Sequence, residues 1–124
     1  MREILFKAKR INNGEWVEGY YLFYSNDHII METNKNGILY HRIDQNTLCQ
    51  YTGLTDKNEK KIWENDVVKD TDIHLLGFVE YDEEHGMYVI NEVNDGYQNF
   101  QEFWSCTEVI GNIFDNPELV KGSE

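Results

Sequence analysis

The feature that most constrains this chain is the cadence of its turns. Asn12-Asn13-Gly14, Ser25-Asn26-Asp27, Asn34-Lys35-Asn36-Gly37, Asp56-Lys57-Asn58-Glu59, Glu64-Asn65-Asp66 and Asp82-Glu83-Glu84-His85-Gly86 punctuate it. Asn, Asp and Gly tolerate the positive φ that tight hairpin turns demand, and Asn-Gly is the strongest short hairpin signal. The apolar segments between these turns are short, and none shows a sustained 3.6-residue period. Short antiparallel strands are what such a chain can build.

Ile4–Lys9 and Trp16–Tyr24 flank the first turn. The second segment places Trp16, Glu18, Tyr20, Leu22 and Tyr24 on one face and Val17, Gly19, Tyr21 and Phe23 on the other. Both faces carry large side chains, which predicts a strand covered on both sides along part of its length. Gly19 within it marks a bulge or a close backbone approach. His28–Thr33 and Ile38–Ile43 complete a meander. After a polar stretch at 44–47, further strands are expected at Leu48–Tyr51, Lys61–Trp63 with Trp63 in the core, Val67–Val68, Gly77–Tyr81, Met87–Glu92 and Thr107–Phe114. Phe100–Trp104 reads as extended or irregular. Asn116-Pro117-Glu118-Leu119 has an Asn cap, Pro at the first helical position and an acid in the first turn, the signature of a short helical turn. Eight Tyr, six Phe and three Trp against one Pro suit pleated, half-buried surfaces.

These patterns predict an all-β fold: an N-terminal β-meander at 1–47 packed on an SH3-like barrel or roll at 48–124, ending in the helical turn. A small antiparallel sheet escapes exposed edges by curling in this way. No linker rich in Pro, Gly or Ser divides the parts, so they are expected to pack closely.

Charge is distributed unevenly. Residues 1–50 carry six Lys/Arg and six Asp/Glu, whereas residues 51–124 carry five against seventeen, the whole of the net −12. Such a field repels phosphate backbones, so direct nucleic-acid binding is not expected. Lys7, Lys9 and Arg10 form a local basic strip, read here as the solvent face of an edge strand. The longest apolar run, Tyr20–Tyr24, falls far short of the roughly 20 residues of a membrane span. The N-terminus lacks the apolar stretch of a signal peptide, and a cytoplasmic location is expected. Cys49 and Cys106 belong to no CxxC pair and read as reduced thiols.

Candidate chemistry is sparse, and no cofactor is expected. There is no glycine-rich phosphate loop, and no Ser or Cys stands beside a base in the manner of a nucleophile. Asp70-Thr71-Asp72-Ile73-His74 has the best metal-like spacing, since in an extended strand Asp70, Asp72 and His74 project from one face. The competing interpretation is a polar loop, with Ile73, Leu75 and Leu76 turning inward. Asp82-Glu83-Glu84-His85 reads as a solvated hairpin tip. Tyr51, Tyr81, Tyr88 and Trp104 are candidate members of a shallow peptide groove, against core positions for the same residues.

Four segments, MREILFKAKRINNGEWVEGYY, QYTGLTDKNEKKIWENDVVK, GFVEYDEEHGMYVI and EVIGNIFDNPELV, occur in the order found in the YopX family of small phage and prophage proteins, which the chain resembles over nearly its whole length. The resemblance implies a mainly β fold with an SH3-like barrel in the C-terminal part, and no catalytic residues. Two positions depart from the family pattern: Glu59 and Asn65 stand where Gly is usual. Asn65 is expected to keep its turn, while Glu59 is less comfortable at positive φ. The expected function is a non-enzymatic accessory protein whose acidic barrel docks onto a protein partner, in a sharper form by imitating nucleic acid. The alternatives are a metal-dependent hydrolase using Asp70, Asp72 and His74, and a self-assembling structural component that forms a homo-oligomer.

Overall fold

Backbone pairing in the computed structural model follows the turn cadence closely, over described residues 4–93, 98–99 and 104–121. The chain is mostly β, with antiparallel sheets and three short 3-10 turns among the described residues. It divides into two compact units, Met1–Tyr51 and Thr52–Glu124. The division falls inside a strand, not at the 47/48 step that the polar stretch 44–47 indicated.

In the first unit, β1 (Phe6–Lys9), β2 (Trp16–Tyr24), β3 (Asp27–Asn34) and β4 (Gly37–Arg42) form a meander. The start of β5 (Cys49–Thr55) lies on the other side of β1, with Phe6 opposite Gln50. A 3-10 turn at Gln45–Thr47 leads into β5, its first turn fixed by the Asp44 side chain accepting the Asn46 amide at 3.0 Å. Ala8, Ile30 and Ile43 form the core, with Phe6, Val17, Tyr21 and Leu48 packed against it.

β2 changes partners halfway. Residues 16–19 pair with β1 and residues 20–24 pair with β3. The pivot is Gly19, where a Cβ would stand 2.2 Å from the Met31 carbonyl oxygen. The close approach expected from sequence is therefore what this glycine provides. β2 is covered on both faces only along part of its length, as expected: on the outer face Trp16 and Leu22 are half-buried. Val17 and Tyr21 pack against the core, but Phe23 on the same face and Tyr20 and Tyr24 on the other are exposed.

In the second unit, the end of β5 pairs with β6 (Lys61–Trp63). β7 (Asp66–Asp70), β8 (Leu75–Asp82), β9 (Met87–Glu92), β10 (Gln98–Asn99) and β11 (Glu108–Asn112) form a sheet in the order β10-β9-β8-β7-β11. It is barrel-like in composition, although among the described residues no pairing joins β10 to β11. Ile62, Val68, Leu75, Val79, Tyr88, Ile90 and Trp104 make one buried cluster, and Trp63 is buried as expected. The segment expected to be extended at Phe100–Trp104 lies outside the described residues apart from Trp104, which begins a 3-10 turn. The helical turn after Asn116 is present at Pro117–Leu119, but Asn116 does not cap it. Its Oδ1 accepts the Asn112 amide at 3.2 Å instead, tying the turn back to β11.

The two departures from the family pattern both sit in left-handed backbone, Glu59 at φ 63° and Asn65 at φ 70°. Asn adopts this region readily, whereas Glu pays a Cβ–carbonyl clash. Glu59→Gly is therefore expected to stabilise the protein by about 0.5–1 kcal/mol, the relief of that clash less the entropy of an added glycine. A thermal melt checks this, and Asn65→Gly should change little.

Candidate functional site

Asp70, Asp72 and His74 do not form a ligand set. Asp70 ends β7 and is buried, and its Oδ1 accepts the Asp72 amide at 3.0 Å. This side-chain turn, followed by His74 at φ 56°, folds the segment tightly and destroys the alternation that an extended strand would have supplied. Among the described residues, only Asp82, Glu84 and His85 bring three potential ligand atoms within 4.8 Å of one another. The groove beside Asp70 and Asp72 is also lined by Lys57 and Lys69, whose charges oppose a cation there.

The four candidate aromatics separate as well. Tyr51, Tyr88 and Trp104 are buried, and Tyr51 belongs to the first unit. Tyr81 is 41 % exposed and meets the Tyr88 ring edge-on, with centroids 5.1 Å apart. A chain of this size needs its large rings inside, and three of the four serve that need. Cys49 is buried and donates its Sγ–H to the Thr47 carbonyl at 3.3 Å, while Cys106 is exposed.

What remains is the tip of the β8–β9 hairpin. Its register sets Tyr81 opposite Tyr88 and Asp82 opposite Met87. Tyr81 and Met87 are exposed on it, surrounded in sequence by the exposed carboxylates Glu80, Glu83 and Glu84. Asp82 builds the turn from within. Its Oδ1 accepts the Glu84 amide at 3.0 Å and its Oδ2 lies 2.6 Å from His85 Nδ1. The His85 ring, chiefly, holds the Asp82 carboxyl below its ordinary value. The tip is thus a fixed turn with an acidic fringe, carrying Tyr81 on the face it shares with Tyr88 and Met87 on the opposite face with Asp82.

Another buried carboxylate, Asp56, was not singled out by sequence. Asp56, 3 % exposed, accepts three backbone amides: Asn58 at 2.8 Å and Lys60 at 2.9 Å on Oδ1, and Val109 at 2.9 Å on Oδ2. Burial pushes this carboxyl up, but the amides of Val109, Lys60 and Asn58, with the Lys60 charge, outweigh it and hold the value below the usual range. The Lys57 amide also donates to the Thr107 carbonyl at 2.8 Å. Two residues of the hairpin tip therefore clamp the last strand. At the next turn, the Asn65 amide donates to the Val79 carbonyl and the Asn65 carbonyl accepts from Ile113. The Asp66 carboxylate accepts the Trp63 amide at 2.9 Å. The signal in sequence was an Asp in each turn, opening the first and closing the second, which is also what any solvated turn displays.

The Asp56 and Asp66 carboxylates and the backbone of Lys57 and Asn65 thus serve the fold, and the acidic tip is the remaining candidate site. Comparison with known proteins accords with this architecture. A comparison with curated proteins finds no match. Among solved structures, the chain is similar to the crystal structure of protein EF1440 from Enterococcus faecalis, with a TM-score of 0.59 at 20 % identity. The alignment covers 98 % of this chain and 100 % of that one, a likeness of fold. The family model described as YopX protein matches residues 5–121, taking in both units and all the turns on which the architecture depends. The chain belongs to the YopX family.

Proposed function

We propose that this chain is a non-enzymatic accessory protein of phage or prophage origin that docks onto a basic protein partner through the acidic surface of its second unit. The observation that carries the proposal is the β8–β9 tip, where Tyr81 is exposed on one face of a hairpin whose tip bears the exposed carboxylates Glu83 and Glu84, with Glu80 beside it in β8. An aromatic anchor supplies contact area, and a surrounding fringe of one charge sign steers and selects a partner of the opposite sign. Strands on either side hold the anchor rigid, which lowers the ordering cost of binding.

The test is affinity capture from bacterial host lysate at a series of salt concentrations. The immobilised protein should retain a basic protein at low salt and release it as salt screens the fringe. The triple variant Glu80→Lys, Glu83→Lys, Glu84→Lys should not retain it, and Tyr81→Ala should weaken it about tenfold. Capture of nothing at any salt, or equal capture by the triple variant, overturns the proposal. Competition with duplex DNA for the captured protein then shows whether the acidic surface occupies a nucleic-acid site.

A further inference from the structure

The open edges of the sheets are guarded unequally. Among the described residues, β6 has three residues including Lys61, and β10 has two. β11 carries Glu108 and a register shift between Val109 and Gly111. Each is blunted by shortness, charge or a bulge, the usual devices against strand addition. β4 is neither short nor bulged, and its one charged residue, Arg42, stands at the end of the strand. It runs six residues, among the described residues pairs as a strand with β3 alone, and exposes Ile38 by 54 %, Leu39 by 50 % and Tyr40 by 63 %. Its polar residues do not guard it, because His41 reaches Glu32 at 2.9 Å and Arg42 reaches Asp27 at 3.3 Å within the same sheet.

The hydrogen-bonding pattern defines which part of this edge is open. The two-residue turn closed by Asn34 and Gly37 makes that pair hydrogen-bonded, and alternation then directs the amides and carbonyls of residues 37, 39 and 41 towards β3. Those of Ile38, Tyr40 and Arg42 point outwards. The Arg42 carbonyl is taken by the Ile11 amide at 3.0 Å, which closes the strand at that end. The open window is therefore Ile38 and Tyr40, symmetric about Leu39.

We propose that β4 is a self-association edge, on which a second copy of this chain pairs its own β4 antiparallel about a two-fold axis through Leu39. In this register Ile38 lies opposite the partner's Tyr40, and the reverse pair is equivalent by symmetry. The outward amide and carbonyl of both residues are then satisfied. Leu39 lies opposite the partner's Leu39 on the other face of the sheet. An aliphatic–aromatic pair repeated twice and an aliphatic pair at the axis are favourable cross-strand neighbours, with no charge opposing its like. The row Tyr20–Met31–Tyr40 across β2, β3 and β4 continues onto the partner's Ile38, so the exposed face of the meander is extended by the same contact. A second copy is favoured over a foreign strand because one short window satisfies itself in a single register. The interface is isologous and closes at two copies. Its small extent puts it among weak, reversible associations.

The experiment is sedimentation equilibrium of the full chain from about 1 to 500 µM, the span of a weak dimer. Wild type should pass from monomer to dimer. Leu39→Lys and Leu39→Glu each set like charges across the axis, and each should raise the dimer Kd at least about tenfold. The two variants mixed should dimerise again, because only residue 39 facing itself lets opposite charges meet. Leu39 is half exposed, so both variants should keep the wild-type circular dichroism; Glu32 lies opposite it on β3, so Leu39→Glu should melt slightly below wild type and Leu39→Lys should not. Ile73→Lys, at an exposed apolar residue of the second unit, should dimerise as wild type does. A monomeric wild type overturns the proposal, as do single variants that dimerise normally or an Ile73→Lys that does not. Failure of the mixture to dimerise overturns the register.

Discussion

Gly19→Ala should lower stability by about 4 kcal/mol, at the severe end of single substitutions. The added Cβ would lie 2.2 Å from the Met31 carbonyl oxygen and 2.9 Å from its carbon, with Ile30 Cγ2 at 3.1 Å. The first two are backbone atoms of β3, so no rotamer change relieves the contact. Relief requires β2 and β3 to separate where β2 passes from β1 to β3, and Ile30, fully buried, sits beneath that point. A substitution of the same chemistry where space is open, Gly14→Ala, offers the control. Gly14 meets nothing within 4 Å but lies at φ 73°, so it carries only the left-handed penalty of about 1 kcal/mol. Chemical denaturation of the two variants should give losses differing by about 3 kcal/mol. Equal losses would mean that backbone conformation alone, and not the strand crossing, decides both.

Asp56→Ala should cost about 3 kcal/mol, because it strips acceptors from three amides in a site that is 3 % exposed. Asp56→Asn should cost about half as much. Its remaining oxygen can serve Asn58 and Lys60, but its amide nitrogen then faces the Val109 N–H, donor against donor. The two variants also separate in pH. The folded carboxyl titrates below its ordinary value of 3.8. Its contribution is therefore complete above that value and is lost as pH falls through the lower folded value. Wild type should lose stability over this acid window by more than Asp56→Asn does. Urea melts between neutral pH and about pH 3 measure the difference directly. Parallel curves for the two proteins would show that the carboxylate's charge contributes nothing to the clamp.

These two residues also show what could be read in the chain beforehand. The turns were legible because their chemistry is local: Asn65 at φ 70° and Gly37 at φ 125° do what their residue types permit. The close approach at Gly19 was legible for the same reason, since a glycine inside a strand calls for an explanation. Asp56 was not. Its third partner lies 53 residues away, and nothing in an Asp before Lys-Asn-Glu distinguishes a clamp from a solvated turn. The metal-like spacing of Asp70, Asp72 and His74 failed because periodicity assumes an extended backbone. The side chain of Asp70 itself bends that backbone. The aromatics posed a question of sides, which local pattern does not answer: Tyr88 and Tyr81 face each other across a hairpin, yet only one is buried. In the first unit the exposure of Tyr20 and Tyr40 reflects a sheet face that the described chain leaves open.

The clamp from Asp56 to Val109 also bears on how the protein is made. Among the described residues, strands β1 to β4 pair with one another or with the start of β5, so these strand pairings are available once residue 51 has left the ribosome. β7 must wait for β11, and the Asn58 hairpin must wait for Val109. Domains fold as they emerge, and distant pairings come slowly. During synthesis the second unit is therefore held open for the span of some forty residues after β7, with Val67 and Val68 unpaired on one side. A message truncated before residue 108 would yield the strand pairings of the first unit joined to a sheet that lacks β11 and leaves β7 as a bare edge.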